Sequence, residues 1–186
     1  DQDALAAASH RKAAAAYEKY AAGGPADAWK AQWRLGFCRT QLGEYDAAVA
    51  ALLGAQKAQP NDLKVRDSLA EAYVKAGRLE EAEATYMAMA GLNPPEAKTY
   101  YRQAYQMYDG AGKFDKAVGP LKKIIELDPK NETNFYYLGH LVVGPGGQAR
   151  VPPRLVPDRL VLFQRQEVQG GADLVPGVGE LGLDRQ

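Results

Sequence analysis

The stretch AGRLEEAEATYMAMAGLNP, residues 76–94, shares its skeleton with two other stretches of the chain. These are LGEYDAAVAALLGAQKAQP at residues 42–60 and AGKFDKAVGPLKKIIELDP at residues 111–129. Each stretch has a glycine, a large apolar residue two positions later, an alanine five positions later and a proline seventeen positions later. The glycines, 34 and 35 residues apart, are Gly43, Gly77 and Gly112. A fixed period of this length predicts a stack of repeated structural units.

Within each unit, apolar residues recur with the period of a helix. In the second half of a unit they follow i, i+3, i+4 and i+7 spacing, which places them on one helix face. These stripes are Tyr45, Ala48, Val49, Leu52 and Ala55; Leu79, Ala82, Tyr86 and Met89; and Phe114, Ala117, Val118, Leu121 and Ile124. The first halves carry the stripes Leu35, Gly36 and Arg39; Leu69, Ala70 and Tyr73; and Tyr101, Ala104, Tyr105 and Tyr108. Each unit is therefore predicted to be two helices.

The recurrent glycine, proline and alanine have separate physical roles. The glycine is predicted to end the first helix, because a left-handed terminating residue costs least without a Cβ atom. The proline is predicted to end the second helix, since it has no N–H for the hydrogen-bond ladder. The alanines, Ala48, Ala82 and Ala117, follow the turn that joins two antiparallel helices. The helices approach most closely there, so only a small side chain fits.

With these features the chain resembles the tetratricopeptide repeat family, whose unit is ~34 residues of helix–turn–helix. The resemblance rests on LG at residues 35–36, LAEAY at residues 69–73, the Gly-x-Leu/aromatic-x-x-Ala runs and the three prolines. It covers about residues 4–143 and implies an all-α fold, a right-handed superhelical solenoid of helical hairpins. The predicted segments are the second helix of a truncated repeat in residues 1–28, repeats at 29–62, 63–97 and 98–131, and the first helix of an incomplete repeat in 132–144.

Three features depart from the family pattern. Gln32 and Arg39 stand where bulky apolar or aromatic residues are usual, which predicts a looser or more polar first helix. Gly119 and Pro120 lie inside a predicted helix, so we expect a kink or a late helix start there. The third unit has one extra residue, which we place in the loop around residues 93–97.

Residues 145–186 lack the repeat and have a different composition, with 7 Gly and 5 Pro in 42 residues. Three interpretations compete: a flexible linker, a segment that folds back over the last repeat, and an off-frame translation of a GC-rich gene. We favour the third, because the repeat stops in mid-unit and no Lys or Tyr follows residue 137. The tail is accordingly predicted to be disordered or off-frame. The apolar last helix also predicts self-association through the incomplete repeat ends.

Composition and residue spacing argue against several classes of function. The 23 basic and 23 acidic residues balance, which argues against nucleic acid and anionic lipid as partners. Apolar runs are shorter than the ~18 residues of a membrane-spanning helix, so no membrane insertion is predicted. The compartment stays open between cytoplasm and periplasm.

The residues that could support catalysis are few. Cys38 shares its helical register with apolar residues, which predicts a buried structural thiol. Glu80, Glu81 and Glu83 cluster where a helix begins, and a favourable helix-end charge explains them better than acid–base chemistry. The sequence GPGGQ lacks the Lys-Ser/Thr of a phosphate loop, and no metal-ligand spacing occurs. The chain is therefore predicted not to be an enzyme and to have no cofactor and no metal.

By the resemblance, the first helices line a concave groove that binds peptides. The lining residues, spaced by three and four, are Lys30, Trp33, Phe37, Gln41, Lys64, Asp67, Glu71, Lys75, Thr99, Arg102, Gln106, Tyr136 and His140. Trp33 and Phe37 are the expected aromatic anchors. The alternative is a merely solvated helix face, with both rings packed against the N-terminal half unit. Family members that grip a peptide carboxylate use Lys, Asn and Arg at positions occupied here by other residues, so that clamp is not expected.

The sequence therefore predicts a non-catalytic scaffold that binds a peptide or protein segment in its concave groove. The rival hypothesis is a substrate-docking or regulatory repeat region of a larger enzyme whose catalytic domain lies outside this fragment.

Overall fold

The computed structural model describes residues 2–142, and the regular elements in that part of the chain are all helical. They are α1 (Gln2–Ala22), α2 (Ala28–Gln41), α3 (Tyr45–Ala58), α4 (Leu63–Lys75), α5 (Leu79–Leu92), a 3-10 turn (Pro94–Glu96), α6 (Ala97–Gly110), α7 (Phe114–Leu127) and α8 (Glu132–Val142). The all-α class is confirmed. The predicted tail at residues 145–186 lies outside the described residues.

The described residues divide between two compact units, the first ending at Tyr100 and the second beginning at Tyr101. In the first unit each helix packs on the next along the chain, from α1 to α5, and α2 also contacts α4. This pairing makes successive helical hairpins, with the first helices of neighbouring repeats side by side. In the second unit α7 packs on α8. The predicted apolar stripes are buried, apart from residues at their edges such as Tyr45 and Phe114, which are half-buried.

The turns inside the hairpins have the backbone conformation that the glycines predict. Gly43, Gly77 and Gly112 have φ values of 78°, 74° and 69°. At the first of these turns Gly43 N–H donates to Thr40 O and Glu44 N–H donates to Arg39 O, over 3.2 and 3.0 Å. This pair of bonds is the Schellman motif, which satisfies the last carbonyls of a helix. The same pair recurs at the other two glycines, so the three turns are equivalent.

The hairpin contacts depend on the smallest residues of the repeat. Ala48, Ala82 and Ala117 are each 0% exposed, as the steric role of these alanines predicts. A Cβ atom added at Gly36 would lie 2.4 Å from Leu52 Cγ, far inside van der Waals contact. The backbone of α2 therefore sits directly against the Leu52 side chain of α3.

The polar residues of α2 form specific contacts in place of the usual apolar packing. A Cβ atom at Gly54 of α3 would lie 2.9 Å from Gln32 Oε1, so the glycine leaves room for the Gln32 amide. Arg39 Nη2 donates to Glu18 Oε1 of α1 over 2.9 Å, and Arg39 Nη1 donates to Ala47 O over 3.4 Å. The helix is more polar, as expected, but these residues connect it to its neighbours on both sides.

Of the two alternatives expected at Pro120, the late helix start is wrong, and the kink stays a prediction. The helix α7 begins at Phe114 and continues through Pro120, which is almost fully buried. Proline removes one N–H from the ladder and is costly in a helix interior. The surrounding stripe outweighs that cost by burying four apolar side chains around it: Ala117, Val118, Leu121 and Ile124.

The second and third repeats begin in different ways. In α4 the Asp62 side chain caps the helix, its Oδ1 accepting from Lys64 N–H and Val65 N–H over 2.9 and 3.0 Å. In α6 the 3-10 turn runs directly into the helix, in the region where the extra residue of the third unit was placed. Over the described part of the chain, the helices include none with the length and apolar character needed to cross a membrane.

Candidate protein-binding face

The first-helix face of the first unit is formed by α2 and α4. The residues predicted to line it on α2 are Lys30, Trp33, Phe37 and Gln41, and all but half-buried Trp33 are exposed. On α4 the predicted residues are Lys64, Asp67, Glu71 and Lys75, and all but half-buried Glu71 are exposed. The opposite sides of the same helices bury Leu35 and Leu69 in the core. The helices therefore keep one face exposed to solvent.

Trp33 connects the two helices of this face. Its Nε1–H donates to Ser68 Oγ of α4 over 2.8 Å, across 35 residues of sequence. A half-buried indole N–H needs such a partner. The side chain is therefore a structural link between neighbouring repeats, and only its ring surface remains for binding.

Phe37 packs differently. Its ring lies edge-on to His10 of α1, with 6.2 Å between ring centroids and 70° between the planes. The phenyl group is still 43% exposed. The alternative expectation is that both rings pack against the N-terminal half unit. Phe37 makes such a contact through His10, whereas Trp33 contacts α4 instead.

An open groove of about 680 Å³ lies where the first turns of α2 meet the loop before α4. Its lining consists of Trp29, Lys30, Trp33, Arg34, Asn61, Asp62, Leu63 and Lys64. Two of the cations lie near indole rings. Lys30 Nζ is 5.8 Å from the Trp29 ring centroid, and the Arg34 guanidinium carbon is 5.6 Å from that of Trp33.

Further along α4 the face becomes acidic. Glu71 Oε1 pairs with Lys75 Nζ at 3.6 Å. Asp67 is exposed as a residue, yet burial of its carboxyl, followed by repulsion from Glu71, raises its pKa. Burial raises the pKa of Tyr86 to about 12, and Asp67 and Glu71 add to that effect. The face thus runs from a basic, aromatic end to an acidic middle.

The remaining predicted residues belong to α6 and α8. Thr99 is exposed and donates from Oγ1 to Glu96 Oε2 over 3.2 Å. In the second unit, Arg102 and Gln106 are exposed one turn apart on α6. Tyr136 and His140 are likewise exposed on α8, and the Tyr136 ring is 68% exposed. These residues lie on helix surfaces as expected, and their role in binding stays a prediction.

The structure brings together only part of the predicted set. Lys30, Trp33 and Lys64 share the groove, whereas the other predicted residues of α2 and α4 lie beyond it. Sequence reasoning missed Trp29 and Arg34, which also line the groove. The recurrence of tryptophan at i and i+4 could have signalled Trp29. Arg34 lies one turn after Lys30 and three residues before Phe37, so the spacing that selected the stripe could also have selected it.

Cys38 lies in the core rather than on the first-helix face. It is 5% exposed and packs with Ala14 and Leu35. Burial raises the pKa of the thiol, which keeps it protonated and unreactive near neutral pH. The prediction of a buried structural thiol is confirmed.

Tetratricopeptide repeat family models match residues 30–62, 63–95 and 98–131. The chain is similar to Superkiller complex protein 3 of Mus musculus, with 29% identity over 124 residues, 64% of this chain and 8% of that protein. It is 31% identical to the Homo sapiens protein of the same name over 104 residues, 54% of this chain and 7% of that protein. The chain therefore spans less than about a tenth of the length of these relatives.

The matched segments begin within one residue of the three predicted repeats and share their period. Repeats of this kind form scaffolds for protein interaction and are typically non-catalytic. On the combined grounds of equivalent glycine turns, buried stripes and three consecutive matches, the chain belongs to the tetratricopeptide repeat family.

Proposed function

We propose that this chain holds a peptide or an extended protein segment against the first-helix face of α2 and α4. The observation that supports this most is the difference between the two sides of these helices. One side is buried in the hairpin core, while the other keeps the 43% exposed Phe37 ring and an open groove beside Trp33. Aromatic side chains are enriched in protein interfaces, and Phe37 lies on the same helix as four of the residues that line the groove.

Contacts within the chain hold the two helices of this face in place. The Trp33–Ser68 hydrogen bond holds α2 against α4, and the ion pair between Arg39 and Glu18 holds α2 to α1. A face held by such contacts loses less conformational entropy on binding than a flexible one. Affinity is then expected to come from side-chain contacts along the groove.

The chain would act by binding alone, as a non-catalytic part of a larger assembly. The relatives are more than ten times longer than the segment they share with this chain, and their name places them in a superkiller complex. We infer by that similarity that the partner is a protein. A docking region within a larger enzyme is the second candidate, supported by the same difference in length.

The test uses the complete 186-residue chain against a displayed library of peptides. Phe37→Ala should weaken the selected peptides about tenfold, because it removes an exposed anchor ring. Leu53→Ala is the matched control, since Leu53 is 42% exposed but lies on the second helix α3. It should leave binding unchanged.

Circular dichroism separates loss of binding from loss of fold, and both variants should keep the helical content of the parent chain. Equal weakening by the two variants, or binding that neither variant affects, would contradict the proposed face.

A further inference from the structure

The groove beside Trp33 has a charge that the chain as a whole lacks. The sequence carries 23 basic and 23 acidic residues, so it is neutral overall. The groove lining contains three cations, Lys30, Arg34 and Lys64, and one carboxylate, Asp62. The local excess of positive charge lies within one open depression next to two indole rings.

The single carboxylate is already engaged by the backbone. Asp62 Oδ1 accepts hydrogen bonds from Lys64 N–H and Val65 N–H at the start of α4. Its negative charge therefore offsets the partial positive charge of the α4 N-terminus more than the charges of the lysine and arginine side chains in the groove.

The cations are available to a ligand. Lys30 Nζ lies 4.0 Å from Asp27 Oδ2, at the limit of an ion pair, and both side chains are about half exposed. Within the described part of the chain, Arg34 and Lys64 form no ion pair. Arg34 lies beside the Trp33 ring, which limits its rotamers and reduces the entropy lost when it binds an anion.

We propose that this groove receives an acidic peptide segment that carries a bulky apolar side chain. The carboxylates pair with Lys30, Arg34 and Lys64, and the apolar side chain packs on the rings of Trp29 and Trp33. The inference rests on the proposed function and specifies the chemistry of its partner. A groove of about 680 Å³ has room for a few side chains.

The neighbouring surface limits the length of the acidic segment. Asp67 and Glu71 lie one and two turns further along α4, where they repel anions. A nucleic acid strand that continued past the groove would bring its phosphates against these carboxylates. A short acidic run is therefore favoured over a continuous polyanion.

Both tryptophans of the chain line this groove, so intrinsic tryptophan fluorescence reports on it alone. The probe is a synthetic ten-residue peptide of Asp and Glu with one central Leu. Its matched control has Asn and Gln in place of the acids. Titration with the acidic peptide should shift the emission and saturate, and the affinity should fall as salt is added. The control peptide should bind at least about tenfold more weakly.

The contribution of the cations is tested with the triple variant Lys30→Gln, Arg34→Gln and Lys64→Gln. It should lower affinity for the acidic peptide about tenfold or more. The matched control is Lys12→Gln, Lys19→Gln and Lys57→Gln, which makes the same change in net charge at exposed sites outside the groove. It should bind like the parent chain. Circular dichroism should show the same helical content for both.

Three outcomes would overturn the inference. The acidic and amide peptides could bind equally well, the groove variant could bind as well as its control, or a ten-nucleotide oligouridylate could bind more tightly than the acidic peptide. The proposed function is tested separately by Phe37→Ala, so it survives if library peptides of other charge still depend on Phe37. If acidic peptides bind without any effect of Phe37→Ala, the groove inference stands and the role of Phe37 as an anchor of the face is excluded.

Discussion

At the scale of single residues, the hydrogen bond between Trp33 and Ser68 carries two roles. It satisfies an indole N–H that is half-buried, and it joins the first helices of two neighbouring repeats. Because these roles coincide, a Trp33→Ala variant alone cannot separate binding from packing. A change in the hydrogen-bond acceptor separates them.

Ser68→Ala should destabilise the chain by about 0.5–1.5 kcal/mol, because the indole N–H loses its partner. In a chain that also carries Trp33→Phe, the same change should cost less, since phenylalanine has no N–H to satisfy. Urea unfolding of the parent, both single variants and the double variant measures the coupling. Additive effects would contradict a structural role for the bond.

The left-handed glycines give a second test at residue scale. Gly77 has a φ of 74° and open space around its missing Cβ atom, so Gly77→Ala meets conformational strain without a steric clash. We expect a loss of about 1–2 kcal/mol in the free energy of unfolding. Gly91 also has open space but lacks positive φ, so Gly91→Ala should be neutral or slightly stabilising. Thermal unfolding of the two variants measures the difference. Equal loss of stability in both would show that the left-handed conformation at Gly77 is not the reason for the loss.

At the scale of helices, the fold depends on close approach within each hairpin. The helices α4 and α5 pack against each other, and Ala82 of α5 is fully buried. The helices α2 and α3 pack closely at Gly36, where even a methyl group would clash with Leu52. Neighbouring residues adapt to this spacing, as Gln32 does by filling the space above Gly54.

Ala82→Leu should cost about 1–3 kcal/mol, because the larger side chain overpacks the contact between α4 and α5. Ala84→Leu is the matched control, on the same helix and in an exposed position, and should change stability by less than about 0.5 kcal/mol. Urea denaturation of the two variants provides the comparison. If Ala84→Leu were the more damaging change, the steric role of Ala82 would be refuted.

At the scale of the whole molecule, buried tyrosines make stability depend on alkaline pH. Burial, with a contribution from Asp67 and Glu71, raises the pKa of Tyr86 to about 12. Burial, with a contribution from Asp109 and Tyr137, raises the pKa of Tyr105 to about 12. One of these residues lies in each compact unit, so both units are affected.

The sign of the effect follows from proton binding. An unfolded tyrosine loses its proton near pH 10, whereas these two keep theirs in the folded state until about pH 12. The folded state therefore binds more protons in that window, and its stability falls as pH rises from 10 to 12. Below this window the two tyrosines contribute no pH dependence.

Urea unfolding midpoints measured from about pH 8 to about pH 11 should stay level at first and then decrease. Tyr86→Phe should reduce the alkaline slope, because the phenyl ring has no proton to lose. Measurements below the window supply the internal control for any direct effect of the substitution. A midpoint that stays constant through the alkaline range would contradict this prediction.

Local pattern was sufficient for the repeated parts of the structure. A stretch such as residues 76–94 contains its own glycine turn, its own buried stripe and its own terminating proline. Three copies reinforce one another, so the hairpins and their equivalent turns at Gly43, Gly77 and Gly112 could be predicted. Burial of Cys38 followed from the same register.

What only the tertiary structure decided are the contacts between residues about one repeat apart. The bond from Trp33 to Ser68 and the joint lining of one groove by Arg34 and Lys64 have no signal at the local period. The passage of α7 through Pro120 is a separate case, because it depends on the burial of the surrounding apolar side chains. Helical period fixes which face a residue occupies, but stacking of one hairpin on the next fixes the distances across that face. Those distances, together with the burial that offsets the missing proline donor, depend on packing between segments far apart in sequence.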